Sequence, residues 1–362
     1  MYSDQGNQVA EAIRESEEAH RRRQLATVVD VARLAGVSTA TVDRVLNQRP
    51  GVRPVTAERV LKAALDLGYV QDGALPAGAL KPLRLAFLLP AGGNRFLNRL
   101  GRLVIESQER LASFNMRARV DFIDSFNPEL LAQHLRQAGR EVEGVAFMAL
   151  EHPMVREAVD WLAGRGVPAV TLISDIANTR RVAYVGLDNR AAGRTAGQLV
   201  ARFIGRRPAK VAMIAGSLSY RAHEEREMGF LHLFHELFPM IEVVGLREGH
   251  DEEARNYRQT KMLLAKHPDL AGIYNIGGGP EGIARALKET GRQDDVVFVG
   301  HGLTQETRAL LIDGVMDAVI NQDPQGSLME CVSIFANIRA GRPALEGTAR
   351  PHIEIVLREN LP

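Results

Sequence analysis

From Leu83 onward the sequence alternates short apolar runs with longer amphipathic segments, and no other feature restricts its fold as tightly. The runs are LRLAFLL, GVAFMAL, AVTLI, VAYVGL, KVAMIAG, GIYNI, VVFVGH and DAVIN. Segments such as HPMVREAVDWLAGRG, RAAGRTAGQLVARFIG and EEREMGFLHLFHELF lie between them. Strands that alternate with helices of about 10–15 residues predict parallel sheets joined by right-handed crossovers. The 280 residues from 83 to 362 are more than one simple sheet of this kind uses, so two similar α/β lobes are expected.

The amino-terminal quarter follows another pattern. Residues 1–25 are polar and charge-rich, which predicts a flexible extension, and Arg21, Arg22 and Arg23 within it are expected to be solvated or to touch phosphate. Residues 26–70 predict short helices only. Residues 71–82, QDGALPAGALKP, hold two Gly and two Pro and are expected to be a hinge or linker. A net charge of +1 means that any nucleic-acid surface must be local. No run approaches about 18 apolar residues, and the start carries no apolar signal region, so neither a membrane partner nor secretion is expected. Cys331 is the only cysteine, which precludes an internal disulfide and fits a reducing cytoplasm.

Within residues 26–70, Val28, Val31, Ala32 and Ala35 form one apolar face at helical spacing. Gly36 suits a tight turn and Ser38 an N-cap. The next helix turns Thr41, Val42, Val45 and Leu46 inward and leaves Thr39, Ala40, Asp43, Arg44 and Asn47 facing out. A third helix begins near Pro54 and buries Val60, Ala63, Ala64 and Leu67. This spacing describes a helix-turn-helix with a bracing helix. Small residues at the start of the second helix let it approach base edges, and Arg44 can clamp guanine O6 and N7. Periodicity alone fits a plain helical bundle equally well.

The run TVVDVARLAGVSTATVDRVLNQRPGV resembles, without gaps, the headpiece of the lactose-repressor (LacI) family of bacterial transcription regulators. The rest of the chain resembles that family's effector core, whose fold is shared with periplasmic sugar-binding proteins (periplasmic-binding-protein type I); together the two matches span about residues 26–360. The resemblance implies an all-α helix-turn-helix headpiece followed by a bilobed α/β core of two Rossmann-like parallel-sheet lobes. One lobe would take about 83–187 plus 323–346, and the other about 188–322 plus 347–362. It places Thr39 and Ala40 on the base-reading pair and Arg44 on a base- or backbone-contacting position. Thr27, Ser38, Thr41, Asn47 and Thr56 fall on phosphate-contacting positions. Asp43 departs from the usual Ser, and an acid there either repels phosphate or accepts from a cytosine amino group. The family's linker forms a hinge helix that wedges a Leu into the minor groove. Here Gly73, Pro76 and Gly78 predict a weak or short helix, with Leu75 or Leu80 as the wedge if one forms.

Matching runs also nominate the walls of an effector cleft at the carboxyl ends of the strands. They are Asn94 and Phe96 in PAGGNRF, Ser174 in VTLISD, Arg226 and His223 in AHEEREMGF, Asn275 in YNIGGG, His301 in VGHGLT and Gln322 in VINQDP. The family often places an Asp where this chain has Ile173 and another where it has Gly302. Losing both while keeping Arg226, with two histidines near, predicts a more cationic cleft. The ligand is then either a sugar acid or sugar phosphate gripped by Arg226, or equally a neutral sugar held by amides and hydroxyls.

Gly277, Gly279 and Gly282 spell G-x-G-x-x-G, the dinucleotide fingerprint. That motif also wants an acid at the end of the next strand, but VVFVG ends in Gly300 and His301, with Asp294 and Asp295 at its other end. A tight turn on the cleft wall is preferred over NAD binding, and no cofactor is expected. His232 and His235 have metal-pair spacing without a third ligand. No catalytic arrangement can be specified. The reading is a cytoplasmic, non-enzymatic regulator, a repressor if it follows the family's usual outcome. It would bind a palindromic double-stranded operator as a homodimer, gated by a small ligand. A transport-type solute-binding protein and an NAD-dependent oxidoreductase are the competing readings.

Overall fold

The computed structural model describes residues 26–47, 49, 51–70, 81–124, 126–205 and 207–362. It divides into two compact units, one before residue 83 and one from Leu83 to Pro362. The two nominated wedge residues, Leu75 and Leu80, and the run Arg21–Arg23 lie outside the described residues.

The first unit is three helices, α1 (Val28–Ala35), α2 (Thr39–Leu46) and α3 (Pro54–Asp66). Thr27 and Asp30 form a capping box at the start of α1, and Gly36 ends it at φ 62°, the left-handed conformation glycine tolerates best. Ser38 caps α2 by accepting from the Thr41 amide. Val31, Val42, Val60, Leu61 and Ala64 are buried together between the helices. Leu61 was not anticipated, and Leu67 is only half-buried.

The second unit holds two sheets. The first has β1 (Leu83–Ala91), β2 (Met116–Asp124), β3 (Gly144–Phe147), β4 (Ala169–Leu172) and β5 (Ala183–Val185), all parallel, in the order β2-β1-β3-β4-β5. The second has β6 (Ala209–Ala215), β7 (Ile241–Glu248), β8 (Leu270–Asn275), β9 (Val297–His301), β10 (Ala318–Asn321) and β11 (Glu354–Val356), in the order β11-β10-β9-β8-β6-β7. Only β11 runs antiparallel, against β10. Helices α4 (Arg95–Glu106), α5 (Gln108–Ser113), α6 (Pro128–Glu141) and α7 (Pro153–Gly164) belong to the first lobe. Helices α8 (Asn189–Ile204), α9 (Arg221–Leu237), α10 (Glu253–Lys266), α11 (Pro280–Glu289) and α12 (Gln305–Ile312) belong to the second. The chain then returns: α13 (Pro324–Arg339) puts Leu328, Cys331, Val332 and Phe335 into the core of the first lobe, and β11 goes back to the second sheet.

All eight apolar runs are strands. The three strands not anticipated, β2, β7 and β11, each lie at a sheet edge. Edge strands bury less of their surface and carry charge there, and β2 reads MRARVDFID.

Close packing of α8 against α9 fixes one face of the second lobe. A Cβ on Gly193 would meet the Arg226 carbonyl, and one on Gly229 would meet the Arg190 carbonyl, both well inside van der Waals contact. Backbone cannot yield as a flexible side chain can. Gly193→Ala is therefore expected to destabilise the protein by about 1–3 kcal/mol, read as a lower urea midpoint with an unchanged slope.

Candidate functional site

A cleft of about 680 Å³, open to solvent, lies between the two lobes at the carboxyl ends of their strands. Asn94 and Phe96 reach it from the start of α4, Met148 from just after β3, Ile173 from just after β4, and Leu187 from after β5. The second lobe supplies His223 and Arg226 on α9, Ile276 to Gly279 after β8, His301 on β9, and Ile320 and Gln322 around β10.

Arg226 is the chemical centre of this wall. It is 7% exposed, yet it pairs with no carboxylate among the described residues. Its Nε donates to Asn189 Oδ1 at 2.8 Å and one terminal nitrogen donates to the Ile276 carbonyl at 3.0 Å. The remaining donors of the guanidinium have no protein acceptor among the described residues. Burial pulls its pKa down, opposed by Tyr274, Tyr184 and Asp251, but an Arg starts high enough to stay charged. Asn189 in turn donates to Tyr184 Oη at 3.0 Å, and that hydroxyl donates to the Ile173 carbonyl at 2.9 Å. The cation is thus wired to the first lobe through neutral groups.

Gln322 Nε2 donates to Ser327 Oγ at 2.8 Å, while its carbonyl oxygen has no donor among the described residues. Phe96 packs against Gly302, whose φ of 76° and close neighbour both suit glycine. Ile173 holds φ 62°, an uncommon conformation for a β-branched residue, at the cleft itself.

The two histidines add no charge near neutral pH, which corrects the expectation that they make the cleft more cationic. Burial is the main cause for each. His223 is pulled down to about 4, with Asp251 opposing and Arg226 reinforcing. His301 lies well below its ordinary value, and its Nε2 is 2.6 Å from Tyr274 Oη. A carboxylate that the sequence reading missed does sit nearby. Asp251 accepts from the Gly278 amide at 2.6 Å and, across the lobes, from Asn94 Nδ2 at 3.1 Å. The pair joins the two walls at the cleft's rim, together with Arg99 donating to the Leu303 carbonyl at 3.2 Å.

Six nominated residues therefore share one cleft: Asn94, Phe96, His223, Arg226, His301 and Gln322. Ser174 and Asn275 do not line it. Ser174 is fully buried, its hydroxyl near the Ala222 amide at 3.4 Å, because the left-handed turn at Ile173 gives that neighbour the cleft position. Asn275 turns onto the glycine loop, donating to the Gly277 and Gly278 carbonyls at 3.1 and 3.3 Å. Of the missed lining residues, Arg95, Thr304 and Thr307 are polar, while Met148, Leu187, Ile276 and Ile320 are apolar and carry no chemical signal in sequence.

In the first unit, Thr39, Ala40, Asp43, Arg44 and Asn47 are exposed on one face of α2. The Arg44 side chain makes no hydrogen bond or ion pair with a described residue. The Thr27 and Ser38 side chains cap α1 and α2, Thr41 is half-buried with its hydroxyl 2.9 Å from that of Ser38, Asn47 closes α2, and Thr56 lies half-buried in the first turn of α3.

The family model "Bacterial regulatory proteins, lacI family" matches residues 27–72, and "Periplasmic binding protein domain" matches 85–343. The chain belongs to the lacI family of bacterial regulatory proteins. It resembles Catabolite control protein A of Priestia megaterium at 27% identity over 336 residues, covering 91% of this chain and 89% of that one. The Sucrose operon repressor of Escherichia coli is 48% identical over 67 residues, 18% of this chain and 20% of that one. GanP, a glucose-galactose binding protein from Geobacillus stearothermophilus, has the core's fold: TM-score 0.69 at 24% identity, over 77% of this chain and 99% of that one. This lacI-family member is a DNA-binding transcription regulator that responds to a small molecule. Among the described residues, no helix is long and apolar enough to cross a membrane.

His223 gives the core a pH signature. The unfolded chain binds its proton near 6.5 and the folded chain only near 4, so stability is lost as pH falls through that window. Unfolding in urea at pH 7 and pH 5 should show His223→Gln losing about 1–2 kcal/mol less than wild type over that interval.

Proposed function

We propose that this regulator is a cytoplasmic, non-enzymatic repressor that binds a palindromic operator as a homodimer and is gated by an acidic sugar derivative, a sugar acid or sugar phosphate. Arg226 carries the proposal about the ligand. A cation removed from water with unmet donors in an open cleft calls for an anionic partner. Among the described residues no acid lines the cleft to compete for it; Asp251, at the rim, is engaged by Gly278 and Asn94. Phe96, Ile173, Leu187 and Ile276 offer apolar walls for the ring face, and the Gln322 carbonyl an acceptor for a hydroxyl.

Asn94, Asp251, Arg99 and Leu303 join the lobes at the rim. A ligand that bridges the walls favours this joined arrangement over a parted one, and only that difference in affinity can drive a switch. On the DNA side, Thr39, Ala40 and Arg44 read base edges, while Thr27, Ser38, Thr41, Asn47 and Thr56 surround the backbone. A two-fold dimer then matches an inverted repeat.

Melting curves with panels of sugar acids, sugar phosphates and neutral sugars test the ligand. Acidic compounds are expected to raise the melting point by mass action, and Arg226→Gln is expected to weaken the best of them by about ten- to a hundredfold. A response to neutral sugars alone sinks the acidic reading and leaves the neutral one, in line with what the printed name of GanP says it binds. Selection of random duplexes tests the headpiece. Arg44→Ala is expected to lose about 1–3 kcal/mol and to relax preference at one base position.

A further inference from the structure

Asp43 is an acid on the surface proposed to face DNA. It stands three residues from Ala40 and four from Thr39, so it shares their helical face. A carboxylate there either accepts from a cytosine amino group or must be shielded from phosphate. Both of its oxygens are already engaged. Oδ1 accepts from Asn47 Nδ2 at 2.8 Å, and Oδ2 accepts from an Arg49 terminal nitrogen at 3.1 Å. Arg49 is itself anchored just past the end of α2, where its amide donates to the Arg44 carbonyl at 2.7 Å.

The ion pair has little to do with stability. The two side chains are 49% and 64% exposed, and exposed pairs of this kind contribute little. Its effect is on geometry and charge. It cancels the negative charge of Asp43 on the α2 surface and fixes the direction of the Arg49 side chain. A guanidinium carries five donors in a planar fork, so a hydrogen bond to Asp43 leaves others for a second anion. The Arg44 side chain, by contrast, has no partner among the described residues and is free to enter the groove.

We infer that Arg49 is a DNA phosphate contact and that Asp43 is its positioning residue rather than a reader of bases. The inference rests on α2 being the recognition helix. Arg49 stands between two anions, the Asp43 carboxylate and a backbone phosphate, and bonds to both. Removing it loses one contact and exposes the other anion to the DNA.

The test uses the full chain and its selected operator, with Arg44→Ala, Arg49→Ala, Asp43→Ala and the Asp43→Ala/Arg49→Ala pair, each checked by thermal melting. Arg44→Ala must relax base preference at one position; if it does not, the recognition-helix reading fails and this inference with it. Given that control, Arg49→Ala is expected to weaken binding by about tenfold for all sequences alike and to lower the slope of log affinity against log salt by about 0.9. Asp43→Ala is expected to leave base preference unchanged at every position. The double variant is expected to bind more tightly than Arg49→Ala, because the unshielded carboxylate is gone. Relaxed preference at a C·G pair in Asp43→Ala would make Asp43 a base reader and overturn the inference. Unchanged affinity and salt slope in Arg49→Ala, or no recovery in the double variant, would overturn it as well.

Discussion

A guanidinium taken out of water has to be met by acceptors, and around Arg226 the described residues supply two. The rest of the core is arranged around that deficit. Gly193 and Gly229 let α8 and α9 approach until backbone nearly touches backbone, which brings the Asn189 amide within reach of the Arg226 side chain. The turn after β8 offers the Ile276 carbonyl from the other side. Tyr184 links the Asn189 amide to Ile173 in the opposite lobe. A buried charge completed by a carboxylate would be a finished structural element. One left short of partners is unfinished without a ligand, and its place between two lobes makes the missing partner also the bridge between them.

The interior of each sheet was legible in the sequence, and of the four edge strands only β5 was. Strands buried on both faces read as continuous apolar runs, and every one of the eight runs became a strand. β2, β7 and β11 each have an unpaired side, and their residues follow solvent as much as the core. The omission reached the site. Because β7 was not recognised, neither was the loop after it, and Asp251 went unnoticed in a string of acids, HDEEAR. Arg226, Asn94 and Gln322 could be nominated because a strand end or a motif places them. Asp251 and the apolar lining depend on which loop faces which across the cleft, and that is decided by packing between lobes.

The headpiece was easier to read because its determinants are local. The cap at Ser38, the left-handed Gly36 and the spacing of Val31, Val42 and Val60 all act within a few turns of helix. Local order also explains why the charge pattern there is interpretable. Asp43, Asn47 and Arg49 are neighbours in sequence, and their hydrogen bonds follow from the helix and its end. The histidines of the core show the opposite case. A His looks like a potential cation in sequence, but its surroundings decide its charge, and loss of solvation holds both buried His223 and half-buried His301 below their ordinary pKa.

The glycines at 277, 279 and 282 show how one spacing can satisfy the same steric demands for a different purpose. In a dinucleotide site, such glycines make a tight turn, admit a pyrophosphate against the backbone and let the helix pack closely. Here a Cβ on Gly277 would strike the Asp251 carboxylate and the Gly216 amide. Gly279 adopts φ 65° to enter α11. A Cβ on Gly282 would strike the Glu253 carbonyl of α10. Turn, close approach and helix packing are all present. The anion admitted against the backbone is the protein's own, since Asp251 accepts from the Gly278 amide at the mouth of α11. That carboxylate occupies the place a phosphate would need and at the same time reaches Asn94 in the opposite lobe. A pattern that reads as a nucleotide cradle is, in this chain, the socket for one half of the contact that joins the two walls of the cleft.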